Sequence, residues 1–164
     1  TPLLITDSAD LAASVVRAVE SQIKTLDREP IARAAIANGG ALVVNDLADA
    51  IKLANEYAPE HLCLLVEEPN ELIPNIMNAG GIFVGESSPE VLGDYTAGPS
   101  HIMPTGGSAR FSSPLSVLDF LKITSIVEFE SHELYRQGPY ASELARSEGL
   151  TGHARSIDMR IEGN

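Results

Sequence analysis

The sequence predicts an α/β protein with a Rossmann-like parallel sheet, helices on both faces and a C-terminal helical appendage. Three observations predict this class. Short apolar runs alternate with segments of helical periodicity through the first half of the chain. The apolar runs are nearly continuous, which is typical of strands that are covered on both faces. The last 27 residues, "GPYASELARSEGLTGHARSIDMRIEGN", show two polar helical patterns broken at Gly149.

Four apolar runs are the predicted strands. They are Leu3–Ile5, Ala41–Asn45, His61–Val66 and Gly81–Gly85. We expect their aliphatic side chains, Leu65 among them, to form the core, because each buried one contributes roughly 1.5–3 kcal/mol. Cys63 lies in the third run and is expected to be a small core residue. It is the only cysteine of the chain, which excludes a disulfide framework.

Helical segments separate these strands. The first has Ser8 as its predicted N-cap and an apolar stripe at helical spacing. The second, "REPIARAAIANGG", has proline near its start and Gly39 at its stop. A third starts near Asn45 or Asp46, and the fourth spans "PNELIPNIMNAGG", where Pro74 fits the first turn or so.

The regular pattern fails in "SSPEVLGDYTAGPSHIMPTGGSARFSSPLS", which is rich in glycine and proline. A loop of this length within a compact domain is usually functional or disordered, and its Asp, Tyr, His and Arg favour an ordered functional loop. The following "VLDFLKITSIVEFE" predicts a short helix and a strand. We therefore divide the chain into a Rossmann-like α/β domain portion, residues 1–121, and a strand with a helical appendage, residues 122–164.

The charge of the chain excludes several classes of partner. With 23 acidic and 11 basic residues the net charge is −12, which argues against nucleic-acid binding and against anionic membrane surfaces. No apolar stretch approaches the roughly 18 residues of a membrane span, and the N-terminus lacks the features of a signal peptide. We therefore expect a cytoplasmic protein. No G-x-G-x-x-G dinucleotide fingerprint stands between a strand and a helix.

The stretch "EYAPEHLCLLV" places Glu60 and His61 side by side where a strand begins. Because neighbouring residues of a strand point to opposite faces, the two side chains can serve two separate proton transfers. Taken by itself, the dipeptide is better explained by a surface glutamate beside a hydrogen-bonded histidine at a strand edge.

Two further pairs contain residue types that bind metals or polar ligands. Asp94 and His101 lie seven residues apart in the Gly/Pro-rich loop, and Glu148 and His153 flank the break at Gly149. Zinc binds carboxylate and imidazole well, but no compact H-E-x-x-H or C-x-x-C motif is present. Turn formation and helix capping explain these residues without a ligand.

In combination these motifs are more specific. "EYAPEHL", "GDYTAGPSHIMPT", "FSSPLSVLDFLK" and "SEGLTGH" follow one another in this order. At these separations they resemble the C-terminal part of the histidinol dehydrogenase family, an oxidoreductase of histidine biosynthesis. The resemblance covers essentially the whole chain.

The resemblance implies an enzyme that oxidises L-histidinol to L-histidine through L-histidinal in two NAD-dependent hydride transfers. It makes Glu60 and His61 the catalytic pair. His61 would take the proton of the alcohol, and Glu60 would activate the water that adds to the aldehyde.

The resemblance also implies zinc, with Asp94 and His153 as two of its ligands, and a metal that orients the substrate. The implied substrate-binding residues are His61, Asp94, His101, Glu148 and His153. It further implies an obligate homodimer in which residues 122–164 are exchanged with the partner subunit.

The remaining zinc ligands and the NAD-binding residues would lie upstream of Thr1. We therefore expect this chain alone to be an incomplete, inactive portion of the enzyme. Two alternatives remain open: a related dehydrogenase of another small polar alcohol, and a non-catalytic α/β domain that binds a ligand or mediates assembly.

Overall fold

The computed structural model describes residues 1–163, which form two units. The first unit spans Thr1–Phe120 and the second begins at Leu121. The helices and strands of the first unit are β1 (Leu3–Thr6), α1 (Ala9–Gln22), α2 (Glu29–Ile36), β2 (Gly40–Val43), α3 (Leu47–Tyr57), β3 (His61–Leu64), α4 (Pro69–Leu72), β4 (Gly81–Val84) and α5 (Glu90–Tyr95). Those of the second are α6 (Ser131–Ser147) and α7 (Thr151–Glu162). Within residues 1–163, no helix combines the length and apolar character needed to span a bilayer.

The strands of the first unit pair in parallel. β1 pairs with β2, so that Leu3 lies opposite Gly40, and β3 pairs with β4, so that His61 lies opposite Gly81. In the described part of the chain these are two separate two-stranded sheets. Helix α1 contacts β1 and β2, and α3 contacts β1. The predicted class, parallel strands with helices and a helical C-terminal part, is confirmed.

Local signals in the sequence set the helix starts correctly. The Ser8 hydroxyl accepts a hydrogen bond from the Leu11 N–H at 3.2 Å, and the Asp46 carboxylate accepts one from the Asp49 N–H at 2.9 Å. These side chains satisfy N–H groups that have no partner within the helix. Helix α2 has Pro30 in its first turn, where a missing N–H has no cost.

Three segments differ from the sequence prediction. The helix expected over "PNELIPNIMNAGG" is only α4 followed by a 3-10 turn at Ile73–Asn75, because Pro74 has no N–H to continue it. The Gly/Pro-rich loop contains helix α5. The strand expected within residues 121–130 is absent: "VLDF" forms a 3-10 turn, and the residues up to α6 are neither helix nor strand. A strand needs a neighbour that accepts its hydrogen bonds, and no described strand pairs with this segment.

The core contains mainly small residues. Among residues 1–163 the buried apolar residues are Ala12, Ile23, Ala54, Ala58, Leu64, Ala109 and Ala154. The expectation that Leu65 belongs to the core is wrong, because β3 ends at Leu64 and Leu65 is 66% exposed. Cys63, on the face of β3 opposite to that of buried Leu64, is also exposed, so the expectation that it is a core residue is wrong. Strand β2, expected in the core, is exposed along its whole length.

In the second unit α6 and α7 pack against each other as a hairpin. The buried Ser142 hydroxyl donates to Asp158 at 2.6 Å, and Arg146 forms an ion pair with the same carboxylate. The Ser142 hydrogen bond, followed by the charge of Arg146, lowers the pKa of Asp158. Gly149, with φ of +76°, breaks the helix as predicted, because its missing Cβ permits the left-handed turn.

Substitution of two adjacent leucines tests the placement of the core. Leu64→Ala should lower the free energy of unfolding by roughly 2–4 kcal/mol, since it leaves a cavity at a buried site. Leu65→Ala should change it by less than about 0.5 kcal/mol, because Leu65 is exposed. Urea unfolding followed by circular dichroism measures both variants. Equal losses would mean that β3 buries a different face.

Candidate functional site

The start of β3 is positioned by the backbone of β4. The Gly80 N–H donates to the Pro59 carbonyl at 2.9 Å, and the Gly81 N–H donates to the Glu60 carbonyl at 2.8 Å. A Cβ at buried Gly80 would lie 2.5 Å from the Glu60 carbonyl oxygen, so only glycine permits this approach. Glu60 and His61 are therefore held at the point where the two strands first pair.

The chain reaches this point through a strained residue. Ala58 ends α3 in the left-handed conformation with φ of 51°, is 1% exposed and donates its N–H to the Ala54 carbonyl at 2.9 Å. A left-handed alanine costs roughly 1–2 kcal/mol, which the surrounding contacts must offset. One such contact comes from Arg110, whose guanidinium donates to the carbonyl of Glu56 near the end of α3.

Asn55 holds the segment that leads into β4. This buried side chain accepts hydrogen bonds from the Met77 N–H at 2.7 Å and the Asn78 N–H at 3.1 Å, and it donates to the Asn75 carbonyl at 2.9 Å. Loss of these hydrogen bonds would leave several buried polar groups without partners, which is costly. Asn55 therefore fixes α3 to the segment that precedes β4.

The structure brings His61 and Asp94 together. Helix α5 carries Asp94 to a position where its carboxylate oxygen lies 3.8 Å from His61 Nε2. This distance is too long for a hydrogen bond. The Nε2 atom is buried and has no hydrogen-bond partner among residues 1–163. The His61 ring also lies against Phe83 of β4, with 5.6 Å between ring centroids and 39° between ring planes.

A second contact between β3 and α5 was missed by the sequence prediction. The Cys63 thiol donates to the Glu90 carboxylate, with 3.3 Å between sulfur and oxygen. Partial burial of the sulfur, then the hydrogen bond to Glu90 and its negative charge, raise the pKa of Cys63 to about 11. Glu90 and Asp94 are about one helical turn apart, so both lie on the same face of α5. His61 and Cys63 are two residues apart, so both lie on the same face of β3. The four-residue spacing of Glu90 and Asp94 in the sequence could have indicated that both acids lie on one face of a helix.

The other predicted site residues are exposed or lie in the second unit. Glu60 is half-buried, and His101 is exposed in a bend of the Gly/Pro-rich loop. Glu148 follows α6 as its C-cap, and His153 lies in the first turn of α7. Both are exposed and flank the turn of the helical hairpin. The structure assigns no binding role to these four residues, which stay predictions.

The donor chemistry of Asp94 and His153 suits zinc, which binds carboxylate oxygen and imidazole nitrogen. Within residues 1–163, however, no three His, Cys, Asp or Glu side chains lie close enough together to hold a metal ion. These two residues therefore fit the chemistry of a zinc site and do not complete one.

Comparison with known proteins identifies relatives over nearly the whole chain. The family model described as histidinol dehydrogenase matches residues 1–161. Histidinol dehydrogenase from Agrobacterium fabrum is 52% identical over 97% of this chain and 37% of its own length. The enzyme of the same name from Lactiplantibacillus plantarum is 48% identical over 98% of this chain and 38% of its own.

A solved structure agrees with these sequence matches. The crystal structure of histidinol dehydrogenase from Elizabethkingia anophelis superposes with a TM-score of 0.89 at 30% identity, covering 98% of this chain and 37% of that one. The fold places the chain among the α/β proteins with parallel strands. More particularly, it belongs to the histidinol dehydrogenase family. The chain spans a little over a third of the length of these relatives.

The thiol of Cys63 offers a test of the β3–α5 contact, since no other cysteine is present. With a pKa of about 11, only about one thiol in a thousand is ionised at pH 8, so alkylation by iodoacetamide should be slow there and accelerate towards pH 11. Glu90→Gln removes the negative charge and should lower the pKa, raising the rate at pH 8 several-fold. An unchanged pH profile would show that burial alone protects the thiol. Glu86→Gln, on a neighbouring exposed acid, is the control.

Proposed function

We propose that this chain is part of an NAD-dependent, zinc-containing enzyme that oxidises L-histidinol to L-histidine through L-histidinal. Family membership supports this reaction, and one observation connects the reaction with the site: His61 Nε2 is buried, faces the Asp94 carboxylate and has no hydrogen-bond partner among the described residues. A buried nitrogen without a partner is costly. A polar substrate between His61 and Asp94 would supply that partner.

In this proposal His61 and Glu60 move different protons. NAD, when bound, accepts a hydride from the substrate carbon at each of the two oxidations. His61 takes the hydroxyl proton of the alcohol, a role that suits an imidazole near neutral pH. Glu60 takes a proton from the water that adds to the aldehyde carbon. The opposite orientation of neighbouring strand residues supports two separate roles. The chain has no dinucleotide fingerprint, so we assign NAD to no residue of it.

Asp94 and His153 are the residues of this chain that we assign to zinc. The metal, when bound, would orient the imidazole and amino groups of histidinol. We assign His101 and Glu148 to the substrate as well, because a carboxylate such as Glu148 pairs well with a cationic amine. The ligands that complete the zinc site would come from other parts of the enzyme.

We also propose a homodimer in which the second unit completes the site of the partner subunit. A cluster of exposed apolar side chains in the segment 117–129 supports this. The residues at least 60% exposed are Val117, Leu118, Phe120, Leu121, Ile123, Ile126 and Val127. Many exposed apolar side chains in one segment mark an interaction site, and the boundary between the two units lies within this segment. A cytoplasmic location fits an enzyme of amino-acid biosynthesis.

The direct test measures NADH formation by the full-length enzyme that carries this chain. L-histidinol should be oxidised, whereas leucinol, an amino alcohol without imidazole, should react at least about a hundredfold more slowly. Equal rates would favour a related dehydrogenase with a broader substrate range. A protein that reduces no NAD with either alcohol would contradict the proposal and favour a non-catalytic domain.

Substitution of the acid–base pair tests the separate proton transfers. His61→Asn should lower kcat on histidinol by roughly two to four powers of ten, with a smaller change in KM. Glu60→Gln should slow oxidation of added histidinal more than oxidation of histidinol to the aldehyde. Steady-state rates with each substrate measure both effects. His132→Asn, at an exposed histidine outside the site, is the control. Equal losses on both substrates for both variants would contradict separate roles.

Complementation tests the shared site. His153→Ala should reduce the zinc content while the circular dichroism spectrum stays unchanged. The inactive His153→Ala and His61→Asn enzymes, refolded together, should recover about half of wild-type activity per heterodimer, because one of its two sites contains both intact residues. Confirmed heterodimers without activity would show that His153 does not act in the partner's site. If the His153→Ala enzyme alone has wild-type zinc content and activity, His153 is not part of the zinc site.

A further inference from the structure

Phe83 contacts both His61 and the helix that carries Asp94, the two residues at the centre of the proposed site. Its ring packs against His61 on one side, with the centroids 5.6 Å apart. The ring edge also approaches the backbone of α5 at Gly93, the residue directly before Asp94. The register of the strands explains the first contact. Phe83 pairs with Cys63, so its side chain is a diagonal neighbour of His61 on the same face of the sheet.

Gly93 makes the second contact possible. This buried glycine lies within α5, and a Cβ on it would come within 2.6 Å of Phe83 Cε1 and 2.9 Å of Cζ. No real Cβ tolerates such distances, so an alanine at this position would force the ring to move. The absence of a side chain at Gly93 is therefore what lets the ring lie flush against the helix that carries Asp94.

A second glycine bounds the other edge of the ring. A Cβ at Gly81 would lie 3.2 Å from Phe83 Cε2 and 3.0 Å from the thioether of Met103. The ring is thus fitted between the backbones of β4 and α5, and the imidazole packs on it. A methyl group added at position 93 would therefore displace the ring and change its contact with the imidazole.

We propose that Phe83, seated against Gly93, is a positioning residue that holds the His61 imidazole beside Asp94. This inference rests on the proposed function, in which His61 is the base. Phe83 takes no part in proton transfer. It restricts the directions that the His61 ring can adopt, so that Nε2 stays aimed at the space next to the carboxylate. Misplacement of a catalytic group by about 1 Å costs roughly a hundredfold in rate.

A cavity next to Phe83 provides space into which its ring could move if a larger residue replaced Gly93. A cavity of about 400 Å³ is lined by Phe83, Leu92, Gly93 and Met103, among others. A ring displaced by a methyl group at position 93 can move into this space. We therefore expect Gly93→Ala to fold, with Phe83 displaced and the imidazole released from its support.

The test is a double-mutant cycle on histidinol oxidation by the full-length enzyme. Gly93→Ala should lower kcat about tenfold to a hundredfold, with KM and zinc content changed less than about twofold. Phe83→Leu should lower kcat roughly three- to tenfold. The double variant should match Phe83→Leu, because leucine lacks the ring atoms that the methyl group would meet. Gly40→Ala, where a Cβ would meet nothing within 4 Å, is the matched control.

The outcomes separate the alternatives. If Gly93→Ala lowers kcat by the same factor in the wild-type and in the Phe83→Leu enzyme, the two residues act independently and the proposal is wrong. Zinc loss in Gly93→Ala would mean that the glycine acts through Asp94. If Gly93→Ala does not fold, Phe83→Leu decides alone, and an unchanged kcat overturns the proposal.

A readout that does not depend on activity is the NMR spectrum of the histidine rings. Phe83→Leu should shift the ring-proton resonances of His61, which lie in the field of the aromatic ring, and leave those of exposed His132 in place. A wild-type enzyme without histidinol oxidation would contradict the proposed function. In that event unshifted His61 resonances would still overturn the positioning contact, and shifted ones would support it.

Discussion

The parallel pairing of β3 with β4 is the constraint on which the candidate site depends. It requires that the backbone at Gly80 approach the Glu60 carbonyl more closely than any side chain would allow. Once formed, the pairing sets Glu60 and His61 at the head of β3 and Phe83 on the same face as His61. The chain then turns through Gly85, at φ of +78°, and returns α5 across that face.

Helix α5 approaches strand β3 at two pairs of polar side chains, Cys63 with Glu90 and His61 with Asp94. The two-residue period of the strand and the four-residue period of the helix bring Cys63 to Glu90 and His61 to Asp94. Cys63 and Glu90 form a hydrogen bond, whereas His61 Nε2 and the Asp94 carboxylate are 3.8 Å apart and do not. Partial burial, followed by the hydrogen bond to Glu90, raises the pKa of the Cys63 thiol. The gap between His61 and Asp94 is where the proposed substrate and metal would bind.

The distribution of apolar surface is relevant to the proposed dimer. Strand β2 is exposed throughout, and the segment 117–129 exposes several large apolar side chains. The buried interior of the described residues is made mostly of alanines, with Ile23 and Leu64 as its larger members. Exposed apolar surface of this extent marks interaction sites, and the proposed dimer would cover part of it.

The sequence by itself determined the features that depend on neighbours along the chain. The caps at Ser8 and Asp46 and the break at Gly149 involve groups within a few residues of each other, and the order of four motifs indicated the family. The tertiary structure decided which strands pair, that Leu64 and not Leu65 is buried, and that Asp94 lies beside His61. It also left the segment after Phe120 without a strand. These features depend on partners remote in sequence, and burial or pairing with a remote partner is not encoded in local periodicity.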